Sequence, residues 1–304
     1  MVYMVAAALM WSMAGVVARQ LQSASGFEVN VWRSGFNALA LTVLLLALRG
    51  VPGVQQAVQQ GGRAMWLSGV CWAVMFTAFM MALTLTTVAN VLVTMALAPL
   101  ATAIVARLVF GQRLPVRTGV ATLAAALGIT MMFASSLQGA DPRHWWGTIV
   151  AAGVPLAAAV NWSVLRQKGL AGQSARSGDG FLAAVWVGAL LSALVTLPLA
   201  WPLKASLHDV QWLAFLGVFQ LAVPCWLAVR AAQALEAPEV ALLSLLEVIF
   251  GIAWAWWLAG EAITRQAAWG AGLVLLALAG HEALGLWARG KRGQPTRSSA
   301  QAPP

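Results

Sequence analysis

Residues 88–112 read VANVLVTMALAPLATAIVARLVFGQ, and residues 238–261 read PEVALLSLLEVIFGIAWAWWLAGE. Each is an apolar run of about 20 residues, the length of helix that crosses a ~30 Å hydrocarbon layer. Each closes on similar punctuation, Phe110-Gly111-Gln112 in the first and Ala259-Gly260-Glu261 in the second. Working outward from these two, further runs of this kind fall at 2–18, 29–48, 64–84, 117–137, 145–165, 180–200, 210–229 and 266–287. The chain therefore reads as an all-α integral membrane protein of ten transmembrane helices. Turn and charge signals separate the runs, among them Arg49–Arg63 with Pro52, Gly111–Pro115, Gly139–Pro142, Arg166–Asp179 and Glu236–Pro238.

Composition excludes a soluble domain. Of 304 residues, 61% are hydrophobic and 9% charged, against roughly 45–50% and 25% in soluble chains. The mean hydropathy is +0.80. The net charge of +9 does not point to nucleic acid, which requires a basic face on a soluble fold. Here the cations lie between apolar runs. Assigning loops to alternate sides puts 13 Lys and Arg on one side and four (Arg19, Arg143, Lys204 and Arg265) on the other. The positive-inside rule then places both termini in the cytoplasm, with Arg19 weakly opposed. Met1–Ala18 carries no basic segment before its apolar stretch, so we read it as a span and not as a cleaved signal. Cys71 and Cys225 both sit inside apolar runs and read as core residues, not as a disulfide framework. The tail 289–304 is basic and contains Pro and Ser, and is expected to be disordered.

The chain repeats itself at an offset of about 150 residues: Trp11-Ser12 returns as Trp162-Ser163, and Gly119 aligns with Gly270. A five-span unit repeated once must be inverted, because an odd number of crossings flips the second copy. Inverted repeats with a site between the halves are a mark of secondary transporters.

These residues carry a family resemblance. Trp11-Ser12, Arg33, Ala82-Leu83 leading to Ala89-Asn90, Pro99, Gly111-Gln112-Arg113-Leu114 and Gly260-Glu261 resemble the drug/metabolite transporter superfamily, EamA type, over residues 1–287. Within it the chain looks most like the YddG-type bacterial exporters of aromatic amino acids. Gln112 stands in place of the family's usual Glu, and Glu247-Val248 in place of Glu-Pro. The resemblance implies repeats at 1–138 and 139–288, an inner-membrane location, and a central cavity between spans one, three, four, six, eight and nine. It implies export of hydrophobic or aromatic amino acids and related metabolites by alternating access. Multidrug or quaternary-cation efflux is the alternative within the class, and a membrane-embedded enzyme the alternative outside it.

Glu247 is the coupling or structural acid, because an intramembrane carboxylate is expensive and by default a functional candidate. Ser244, Glu247, Gly251 and Trp254 share its helical face. Thr87, Asn90 and Thr94 form a polar stripe on span four, serving either ligand binding or helix packing. Trp72, Met75, Phe76, Phe79 and Leu83 form an apolar stripe on span three. The deeper tryptophans Trp11, Trp72, Trp162, Trp226 and Trp254 either line a pocket or pack, while Trp66, Trp145, Trp146, Trp212 and Trp269 read as interfacial anchors. Asn90 and Asn161 are candidates for the polar end of a substrate. Arg33 reads as snorkelling to the outer interface toward Glu28. Arg230, with Glu236 or Glu239, forms a candidate gate pair. Pro99, Pro155, Pro198 and Pro224 mark kinks within spans. His144, His208 and His281 stand apart, and no phosphate loop or metal-ligand spacing occurs. We therefore expect no catalysis, metal or cofactor. The expected partners are a small-molecule substrate and the bilayer, with the protein a monomer.

Overall fold

The computed structural model describes residues 1–18, 20–24, 26–86, 88–109, 111, 116–133, 142–170, 174–259 and 265–292. Among them every regular element is helical. Seven helical stretches are long and apolar enough to cross a membrane, and three shorter apolar helices, Val2–Trp11, Val116–Met131 and Ala268–His281, fall on the remaining expected spans. Thr87, Gln112–Leu114 and Gly260-Glu261, which carry part of the reading above, lie outside the described residues, as does the tail from 293 onward.

Several expected spans are broken helices. Span one is α1 (Val2–Trp11) and α2 (Ala14–Ala18), separated by a turn at Ser12-Met13. Span four is α5 (Val88–Met95) and α6 (Ala98–Leu108), and span nine is α12 (Ala237–Ser244) and α13 (Leu246–Ala259). The two latter breaks sit at equivalent places in the proposed repeats. At both, the chain tightens into i→i+3 hydrogen bonds, Leu97 N–H to the Thr94 carbonyl at 3.2 Å and Leu245 N–H to the Leu242 carbonyl at 3.2 Å. Pro99 explains the first, since it has no N–H for the Met95 carbonyl and its ring crowds that turn. The second break occurs without a proline, Val248 standing at the corresponding position.

The expected loop at 49–63 is largely helical. α3 (Gly26–Gln60) bends at Gly50, whose φ of 65° needs no Cβ, and Pro52 opens the segment that follows. Likewise α8 (Pro142–Leu170) and α9 (Ser174–Ala200) run through most of the expected 166–179 connection, and α14 (Arg265–Arg292) takes in the first residues of the expected tail. Span eight is α10 (Leu207–Phe215), a π-helical turn at Leu216–Ala222, and α11 (Val223–Ala234). Pro224 in the first turn of α11 accounts for the irregular register just before it. α4 (Gly62–Leu85) and α7 (Val116–Phe133) complete the set.

Small residues set the packing. A Cβ on Gly188 of α9 would strike Trp72 and the Gly69 carbonyl of α4, and one on Gly128 of α7 would strike the Gly270 carbonyl of α14. Such close approaches are how apolar helices gain dispersion contact where lipid removes the hydrophobic drive. Polar groups join α3 to α9: Asn30 Nδ2 donates to Ser192 Oγ at 3.0 Å and to Thr196 Oγ1 at 3.1 Å. At one end, Asp209 accepts from the Gln22, Ser23 and Ala24 amides at 2.8–3.1 Å and from Ser23 Oγ at 2.7 Å, fastening the α2–α3 connection to α10. Glu28 does the same for the α9–α10 connection, accepting from the Lys204 and Ala205 amides at 2.7 Å each.

Candidate functional site

The breaks in α1/α2, α5/α6 and α12/α13 surround one cavity. The end of α1 brings Trp11 to it, and the unsatisfied Trp11 carbonyl is met by Gln220 Nε2 at 3.0 Å from the π-helical turn. From the other side Trp254 Nε1 donates to Ser12 Oγ at 3.0 Å. α4 contributes Trp72, Phe76 and Phe79, and α8 contributes Trp162. Trp72 is the centre of this aromatic wall, with Phe76 5.5 Å away and Trp162 meeting it edge to face at 5.5 Å.

The same cavity takes one acidic and one basic side chain. Glu247 lines the cavity from the first turn of α13, just after the break, where the helix dipole favours a carboxylate. Arg33 lines it from α3, only 4% exposed, within electrostatic reach of Glu247. This corrects the snorkelling expectation. Glu28 is held by backbone amides of the α9–α10 connection, and Arg33 lies on the face of α3 packed against the π-helical turn, where a Cβ on Gly217 would strike the Arg33 carbonyl. Snorkelling reasoning weighs depth along a helix and not rotation about its axis. Gln220 was also missed, and the available signal was a lone amide within an apolar run.

Of the sequence candidates, Trp11, Trp72, Phe76, Phe79, Trp162 and Glu247 line the cavity together. Asn90, Thr94, Asn161, Trp226, Arg230 and Glu239 are not among its lining residues. Asn90 Nδ2 donates to Thr86 Oγ1 at 2.9 Å and to Thr148 Oγ1 of α8 at 2.6 Å, and Thr94 donates to the Asn90 carbonyl at 2.8 Å. Asn161 Oδ1 accepts from Ser68 Oγ at 2.6 Å. Trp226 carries the Arg230 guanidinium over its ring at 4.8 Å. Glu239 shares a capping box with Glu236 at the start of α12 and stands 3.9 Å from Arg117. The structure thus places Arg117 beside Glu239 and the Arg230 guanidinium over Trp226. Trp66, Trp145, Trp146 and Trp269 are exposed on the outside of the bundle.

The model of the EamA-like transporter family matches residues 1–134 and 145–280. The chain belongs to the EamA-like transporter family. It is a multi-pass membrane protein of the drug/metabolite transporter type. Among solved structures, 26 chains match. One of them, a crystal structure of a protein described no further, shares 16% identity over 93% of this chain and 96% of its own, with a TM-score of 0.75. At that identity the likeness speaks to the fold alone. No curated protein matches. In this EamA-like transporter the first family match ends just after α7 and the second begins within α8, and residues from both line the cavity.

Proposed function

We propose that this protein is an inner-membrane secondary transporter that exports hydrophobic and aromatic amino acids and related metabolites, with both termini cytoplasmic. Its ten helices form two inverted five-helix repeats, 1–138 and 139–288, and rocking of helix groups exposes the cavity to each side in turn. The packing pattern supports this arrangement. α3 packs on α9 and α7 on α14, each on its own counterpart, while α4 on α8 is mirrored by α11 on α1, and α6 on α8 by α13 on α1. A two-fold exchange of the halves produces such pairs, and one chain then supplies a complete pathway as a monomer.

The substrate class is supported by one cavity lined by Trp11, Trp72, Phe76, Phe79 and Trp162 together with Arg33 and Glu247. Aromatic faces hold an apolar side chain, and the charged side holds a polar end. The same aromatic wall beside a carboxylate favours quaternary-cation efflux as a second reading.

Release of preloaded radiolabelled phenylalanine, tryptophan, threonine and methionine from proteoliposomes, against ethidium, tests this. Saturable release of phenylalanine and tryptophan is expected. Ethidium release without amino-acid release moves the protein to cation efflux, and release of neither refers it to the nontransport classes.

A further inference from the structure

We propose that Arg33 and Glu247 read the two charges of the carried molecule, Arg33 its carboxylate and Glu247 its ammonium group, so that the site selects zwitterions. The proposal rests on the amino-acid reading above and replaces Asn90 and Asn161 in the role of head-group contacts. Neither amide is among the residues lining the cavity: Asn90 donates to Thr86 and Thr148, and Asn161 Oδ1 accepts from Ser68.

A guanidinium buried to this degree is expensive unless its donors are met. Among the described residues Arg33 Nε has no hydrogen-bond partner, although the side chain lines the cavity. The planar fork of donors suits a carboxylate. Among the described residues, two more polar atoms of the cavity lining also lack a partner, the donor Trp72 Nε1 and the acceptor Gln220 Oε1. Glu247 supplies acceptors of the opposite charge. The cavity therefore offers donors and acceptors, a positive and a negative group, and an aromatic surface for the remainder of the ligand.

Charge balance then gives the selectivity. With Arg33 protonated and Glu247 ionised, the empty site holds one charge of each sign. Loaded with a zwitterion, each receives a counter-charge from the ligand and the total stays zero. A monocation or monoanion leaves one unbalanced charge in a low-dielectric space, which costs affinity. Ala98 marks the asymmetry of the halves: it lines the cavity from the corresponding turn of α6, where it offers no charge.

Calorimetric titration of the purified full-length protein in detergent with L-phenylalanine, phenethylamine and 3-phenylpropionate tests the proposal. The wild type should bind phenylalanine roughly tenfold to hundredfold more tightly than either single-charge analogue, the range for losing hydrogen bonds to a charged group. Arg33→Gln should lose the preference for phenylalanine over phenethylamine, and Glu247→Gln that over 3-phenylpropionate. Arg33→Lys, which keeps the charge, should retain most of the first preference. Equal binding of all three ligands by the wild type overturns the proposal, and so does a uniform loss, or no change, in well-behaved Gln variants. Where Arg33→Gln does not fold, the wild-type ranking and Arg33→Lys decide. Failure of the wild type to bind any of the three overturns the amino-acid reading itself.

Discussion

Trp72 and Trp162 meet edge to face, ring centroids 5.5 Å apart at 85°, at the contact between α4 and α8. Both are nearly buried and both line the cavity, so the pair joins helix packing to the substrate wall. Trp162→Ala removes the edge contact and opens a void. It should cost about 3–5 kcal/mol of stability and raise the half-saturation for phenylalanine release, whereas Trp162→Phe should retain transport. Thermal unfolding in detergent and proteoliposome release check the two effects separately. A Trp162→Ala variant with unchanged release removes this residue from the substrate wall.

Asp209 holds the α2–α3 connection through three backbone amides and the Ser23 hydroxyl, while Ser206 caps α10 through the Asp209 amide at 3.1 Å. Asp209→Ala leaves these donors unmet. The expected loss is on the order of 3 kcal/mol, visible as a lower midpoint of thermal unfolding in detergent. Substrate ranking should stay as in the wild type, since Asp209 is not among the residues lining the cavity.

Glycines separate by what surrounds them. Gly188→Val should destabilise by more than about 1–3 kcal/mol, because its new atoms meet Trp72 and the α4 backbone. Gly35→Ala, with none of the described residues outside its own helical turn within 4 Å of its Cβ position, should be neutral or stabilise by roughly 0.4–1 kcal/mol. Equal midpoints for the two variants would contradict the α4–α9 packing.

Ser68→Ala should leave Asn161 Oδ1 without its 2.6 Å donor and lower stability by about 1–3 kcal/mol, without altering which amino acids are released. A changed substrate ranking in this variant would return Asn161 to the site.

What the sequence discloses here follows from what each signal measures. Apolar run length places α4, α8 and α9 correctly, since hydropathy reports the solvent around a helix. The repeat of Trp11-Ser12 at Trp162-Ser163 picks out two residues, Trp11 and Trp162, that line the cavity, as the proposed exchange of halves would have it. Glu247 is legible from the rarity of a carboxylate in such a run. Rotation and long-range partners are not encoded locally. Arg33 turns inward because of the neighbours of α3, and Asn90 is claimed by Thr148, 58 residues away. The break near Met95 is announced by Pro99, but its counterpart at Leu245 has no proline, and only packing reveals it.

Carriage of substrate through one alternately exposed cavity is open to a trans-stimulation experiment, with uptake of radiolabelled phenylalanine into proteoliposomes measured with and without unlabelled phenylalanine inside. A carrier of this kind should show saturable uptake accelerated by internal substrate and reduced in Trp162→Ala. Uptake that rises linearly with concentration, ignores internal substrate and accompanies unitary currents would contradict it.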